Sequence, residues 1–242
     1  MMLAAGIHFT PLMFAALLAW ILSVCIHEFS HALVAYWGGD VSVREKGYLT
    51  LDPTRFIDPV FSLLVPAIIL LLGGFPFPGA AVRIDHSRLK SPRWGSYVSA
   101  AGPASNLVLF LLLALPLHPA LGLVDVDGGP QQTWVYFLGA VAMLNFIAAL
   151  FNLIPVPPLD GFGMIEHTLD PQLQWKLRQP AVSFGAIFVL FFVVTRVDAF
   201  WVPFFFMLNW ICRTLGLPAD ILVDGFNLVL HDQMPPGGIA EP

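Results

Sequence analysis

The sequence predicts an all-α polytopic membrane protein: about five transmembrane helices, one re-entrant apolar segment, and a small β-hairpin or sheet near a reactive site. Three observations carry this. Of 242 residues, 57% are hydrophobic and only 11% charged, against roughly 25% charged in soluble domains, and the mean hydropathy is +0.78. The apolar residues fall into long runs parted by proline- and glycine-rich stretches. Ionisable groups sit inside the first of those runs, where an isolated charge costs about 2.5–3.5 kcal/mol on insertion scales. The net charge of −5 comes from scattered acids, and no basic surface suited to nucleic acid is present. Cys25 and Cys212 lie in apolar runs and give no disulfide framework.

Thr10 to Trp37 reads as one helix, longer than the roughly 20 residues that span a bilayer, and Gly38-Gly39-Asp40 ends it. The N-terminus lacks a basic region before this run, so the helix is expected to be a retained anchor rather than a cleaved signal. Val41 to Arg44 and Tyr48 to Leu51 alternate around Glu45-Lys46-Gly47, the pattern of a hairpin, and Ala81 to Asp85 offers a third strand. Trp94 to Leu117 and Trp134 to Asn152 are the next spans. Pro155, Pro157 and Pro158 then force an extended backbone up to Asp160-Gly161. Ala181 to Thr195 and Val202 to Leu215 form a final helical pair, and residues 218–230 an amphipathic surface helix ahead of a Pro/Gly-rich tail. With no internal repeat and no second soluble domain, the whole chain, 1–242, is expected to be one membrane-embedded domain. Its catalytic core covers about 10–165, accessory helices 181–217, and a tail 218–242.

The organising motif is His27-Glu28-Phe29-Ser30-His31. Residues four apart on a helix share a face one turn apart, so both imidazoles can reach one ion. This is H-E-x-x-H, which holds zinc on the histidines and uses the glutamate as general base toward a water molecule. Reading the residues as inert core would leave three ionisable groups within about one and a half turns of a membrane helix unexplained. A catalytic zinc takes three protein ligands and keeps one open position. Asp160 is the best-placed third ligand, beyond the end of the 134–152 span. Asn145 and Asn152 are two turns apart on one side of that span. Asn152 is the better candidate to hold an oxyanion or a substrate amide, whereas Asn145 and Asn106 suit hydrogen bonds between helices. Gly102 and Pro103 suit close packing and a kink, and His8, His86, His118, His167 and His231 suit surface positions near loops or ends.

The same ligand set constrains topology. If Val60 to Leu72 crossed the bilayer, His27 and Asp160 would face opposite sides, so the segment is expected to dip in and return. At thirteen residues it is also short for a span. That arrangement leaves Arg196 on one side and Arg44, Lys46, Arg55, Arg83, Arg88, Lys90, Arg93, Lys176, Arg178 and Arg213 on the other. The excess of basic residues then marks the metal side as cytoplasmic.

Three motifs in this order, His27-Glu28-x-x-His31, Ala101-Gly102-Pro103-x-x-Asn106 and Asn152-x-x-Pro155-x-Pro157-x-x-Asp160-Gly161, resemble the site-2 protease family of intramembrane zinc metalloproteases. The resemblance covers about residues 15 to 165 and implies a three-helix core with one zinc (Zn2+) per chain on His27, His31 and Asp160. It further implies Glu28 as base, substrate contact by Asn152, and cleavage of transmembrane segments of membrane-protein substrates. A multi-pass protein of a bacterial cell membrane, in contact with the lipid bilayer and with its active site toward the cytoplasm, is the expected setting. The chain departs from better-known members in having no stretch long or polar enough for a PDZ or CBS domain. The competing readings are a non-proteolytic zinc-binding scaffold or regulator, and a transporter using the same groups as an ion path. The last of these would be marked by repeats or paired broken helices, which the sequence lacks. An intact helix shields its own carbonyls, so the strand 81–85 is also expected to pair with unwound substrate.

Overall fold

The computed structural model describes residues 10–57, 82–124 and 131–231. Among these it is mostly helical, with α1 (Pro11–Gly38), α2 (Ser42–Glu45), α3 (Pro92–Ala114), α4 (Thr133–Asn152), α5 (Asp160–Ile165), α6 (Pro171–Leu177), α7 (Pro180–Arg196), α8 (Val202–Leu215) and α9 (Ala219–His231). Among the described residues, three helical segments are long and apolar enough to cross a membrane: Pro11–Gly38, Pro92–Leu117 (α3 with the 3-10 turn that continues it) and Thr133–Asn152. The pair α6 and α7, bent by 66° at a short break, adds up to one more. Against the expected five spans, the described residues hold three to four. At 14 residues, α8 extends only about 21 Å, short of a bilayer core of about 30 Å.

The chain divides into two compact units. One holds residues 21–57, 82–105 and 152–183, with a small apolar core of Ala32, Ala35, Val43 and Val98. The other holds 10–20, 106–124, 131–151 and 184–231, cored by Phe110, Val135, Met143, Phe146, Leu208 and Leu222 among others.

Within the second unit, Asn106 Nδ2 donates to Asn145 Oδ1 at 2.8 Å, and Asn145 Nδ2 donates to Val141 O at 2.9 Å. Both amides are buried, so they join α3 to α4 as expected, satisfying groups that would be costly unpaired in an apolar surround. Helix α9 lies where the amphipathic helix is expected, with Ile221, Leu222, Leu228 and Val229 buried. Its apolar side meets protein rather than a free surface. A Cβ added at Gly139 would fall 2.8 Å from Ile221 O, and one at Gly225 would fall 2.3 Å from Tyr136 O. Only glycine permits so close a helix crossing.

The predicted hairpin is corrected. No strand is found among the described residues, and Ser42–Glu45 is a helical turn. The cause is Asp40, whose Oδ1 accepts from Ser42 N at 3.0 Å and Ser42 Oγ at 2.6 Å. A buried carboxylate that takes the amide and hydroxyl two residues on starts a turn, and this overrides the period-2 pattern of Val41 to Arg44. The glycine turn itself is present, with Gly47 at φ +75°. Residues 82–85 form neither helix nor ladder, and Asp85 is extended, at φ −91° and ψ 92°. The segment Val60 to Leu72, expected to be re-entrant, lies outside the described residues.

The ends of that connection are described. Lys90 N donates to Gly38 O at 2.8 Å, and Lys90 Nζ donates to Trp37 O at 2.7 Å. A Cβ at Gly39, which has φ +115°, would fall 2.8 Å from Arg88 O. The chain therefore enters α3 at the same end of α1 from which it left.

Candidate active site

His27, Glu28 and His31 lie in the C-terminal half of α1, one helical turn apart and each at least 92% buried. His27 Nε2 and His31 Nε2 are 3.0 Å apart. Past the end of α4, the Asn152-to-Leu159 stretch returns Asp160 to the start of α5, against the same two nitrogens. Asp160 Oδ2 is 3.2 Å from His27 Nε2, and Oδ1 is 3.3 Å from His31 Nε2. Glycine makes this return possible. A Cβ at Gly161 would fall 2.3 Å from Leu153 O, and one at Gly163 would fall 2.3 Å from Ser99 Oγ.

The donor set fits zinc. A tetrahedral ion with bonds of 2.0–2.1 Å has ligands about 3.3 Å apart, and the three edges here are 3.0, 3.2 and 3.3 Å. Asp160 Oδ2 is buried without a hydrogen-bond partner, an arrangement that costs free energy until something positive meets it. Among the described residues, His27, His31 and Asp160 form the one group of this kind able to hold a metal.

The histidines are set by their neighbours. His31 Nδ1 lies 2.6 Å from Val98 O, so Nδ1 carries the proton and Nε2 keeps its lone pair for the ion. Helix α3 presses directly on the pair. A Cβ at Gly102 would fall 2.3 Å from His31 Nε2 and 2.5 Å from His27 Nε2. Close packing is thus the role of Gly102, and Pro103 is buried beside it inside α3.

Glu28 has a partner that the sequence does not reveal. Val82 N donates to Glu28 Oε2 at 2.8 Å. The segment 82–85 thus does lie beside the site. The Val82 amide, however, is taken by the glutamate rather than offered to an incoming strand, because a buried carboxylate needs a donor. At the far end of the segment, Asp85 N donates to Asp40 Oδ2 at 2.8 Å, and Lys46 Nζ donates to Arg83 O at 2.9 Å. The Ser87 hydroxyl and amide hold the Asp85 carboxyl below the usual carboxylate range.

Behind Asp160, Glu166 is buried and paired with Arg178 through both guanidinium arms, one of them Nη2 to Oε2 at 2.6 Å. Ser96 Oγ donates to Met164 O at 2.5 Å and meets His167 Nδ1 at 2.8 Å. His118 Nδ1 accepts from Ala120 N. Asn152 is half-buried at the last residue of α4. Cys25 and Cys212 are buried free thiols.

Residues 121–195 match Peptidase family M50. Over 212 residues the chain is 37% identical to a protein of Mycolicibacterium smegmatis named as the zinc metalloprotease Rip2, covering 86% of this chain and 77% of that one. It is 36% identical over 226 residues to the Rip2 of Mycobacterium tuberculosis, covering 91% and 83%. It is also 36% identical over 186 residues to a protein of Bacillus subtilis named as the zinc metalloprotease YwhC, covering 74% and 80%. No solved structure matches. An H-E-x-x-H helix, an aspartate returned to it by a proline-rich turn, apolar spans and relatives alike along most of their length lead to one assignment: the chain belongs to peptidase family M50, the site-2 protease family.

Proposed function

We propose that this zinc metalloprotease hydrolyses peptide bonds within or near transmembrane segments of membrane-protein substrates, with Glu28 as general base and His27, His31 and Asp160 as the ligands of one zinc ion. The observation that carries the reading is the convergence of those three ligand atoms beside a glutamate whose Oε2 accepts from Val82 N. Zinc in such a site polarises the scissile carbonyl and brings a water molecule's pKa to near neutral. Val82 N fixes Glu28 Oε2, which leaves Oε1 to take the water's proton and pass it to the leaving amine. Asn152, at the end of α4, is assigned to the backbone of bound substrate.

The basic residues Arg44, Lys46, Arg83, Arg88, Lys90 and Arg93 belong to the same unit as the site, which supports a cytoplasmic orientation. The bacterial sources of the relatives support a bacterial cell membrane. Purified protein should cleave a model transmembrane peptide, and Glu28→Gln should lower turnover by about 10²–10⁴-fold while zinc content holds. Near wild-type cleavage by that variant would move the base elsewhere.

A further inference from the structure

Asp40 is a fully buried carboxylate two residues past the end of α1, and nothing in the proposed chemistry uses it. Burying a charge is costly unless it is well paired, and an apolar side chain could close a helix end. This carboxylate instead accepts three hydrogen bonds and joins two separate pieces of chain. Oδ1 takes Ser42 N and Ser42 Oγ, and Oδ2 takes Asp85 N at 2.8 Å. Three residues before Asp85, Val82 N meets Glu28 Oε2 at 2.8 Å. Three residues of chain reach at most about 10 Å, so fixing Asp85 limits where the Val82 amide can arrive. Arg83 O, held by Lys46 Nζ, sets the rotation of the stretch between them.

We propose that Asp40 is a positioning residue for the general base: it anchors the segment 82–85 so that the Val82 amide holds Glu28 in the rotamer that leaves Oε1 facing the water. Asp40 touches neither the metal ligands nor Glu28, so its effect travels through Asp85 and Val82. The inference rests on the assignment of Glu28 as base.

The test uses full-length, zinc-loaded protein and a model transmembrane peptide. Asp40→Asn keeps the shape but offers one acceptor oxygen and turns an amino group toward an N–H. Turnover should fall about tenfold or more, with KM within about twofold, because orientation of the base is felt in the transition state. Zinc content should stay at the wild-type value. Val82→Pro removes the amide that holds Glu28 and should lower turnover alone. The double variant should then be little worse than Val82→Pro, since both act on one bond. Ser42→Ala removes only the hydroxyl donor to Oδ1 and leaves Ser42 N and the Asp85 bond in place, so it should leave turnover intact. If Asp40→Asn fails to fold, Asp85→Pro removes the same donor from the other end and should reproduce the turnover loss without loss of zinc. Unchanged turnover in the folded variants, losses that multiply in the double variant, or loss of zinc would overturn the proposal. Activity surviving in Glu28→Gln would instead overturn the base assignment on which it rests.

Discussion

A single methyl group at Gly102 measures how tightly the metal centre is built. The added carbon would meet both imidazole nitrogens at 2.3 and 2.5 Å, so either α3 or the histidines must move. Gly102→Ala should sharply reduce zinc content and cleavage, both read on purified protein; full zinc occupancy would mean that α3 yields at no cost to the site. His27→Ala, His31→Ala and Asp160→Ala should each drop zinc from near one equivalent, and Asp160→Ala with full zinc would remove it from the ligand set. The metal group was legible because a four-residue helical spacing and a proline-forced turn are local signals. The bond from Val82 N to Glu28 was not, since it joins positions 54 residues apart and involves a backbone amide, which leaves no trace in composition. Gly161 and Gly163 hid their roles likewise, because a glycine shows where a side chain is absent without showing what passes there.

At the scale of elements, the long apolar helices were read correctly, since burial in lipid or protein demands the same uninterrupted run. The short alternating stretch after α1 was not. Four residues cannot distinguish a strand from a turn of helix, and Asp40 decided the matter from outside the pattern. Helix α9 was located, but its burial against α4 depends on Gly139 facing the backbone at Ile221 and Gly225 facing the backbone at Tyr136. Gly225→Ala should destabilise by about 1–3 kcal/mol through overpacking, seen as a lower thermal midpoint; an unchanged midpoint would show that the two helices part freely. The pair Glu166–Arg178 braces the stretch that follows Asp160. Arg178→Met should cost about 1–3 kcal/mol by leaving a buried carboxylate short of donors, and cleavage should fall with it.

For the whole molecule, the contacts of Lys90 with Gly38 and Trp37 return the chain to the end of α1 it departed from. Single cysteines at Glu45 and Ser87, in a background lacking Cys25 and Cys212, should react with an impermeant thiol reagent from one side of the membrane. A cysteine at Leu121, beyond the far end of α3, should react from the other side. Labelling of Glu45 and Ser87 positions from opposite faces would break the topology on which the shared ligand set depends. The ligand set itself has a mechanical consequence. His27 and Asp160 lie about 130 residues apart in sequence, so an ion held between them closes a very large loop, and the entropy of opening it grows with its length. Held by His27, His31 and Asp160, a metal ion would be a reversible crosslink as well as a reagent. At a hundredfold excess over its dissociation constant it adds about 2.7 kcal/mol of stability, roughly 5–10 °C in midpoint for a chain of this size. Chelation should therefore soften the first unit toward limited proteolysis in detergent, and Glu28→Gln, which keeps every ligand, should stay as resistant as the wild type.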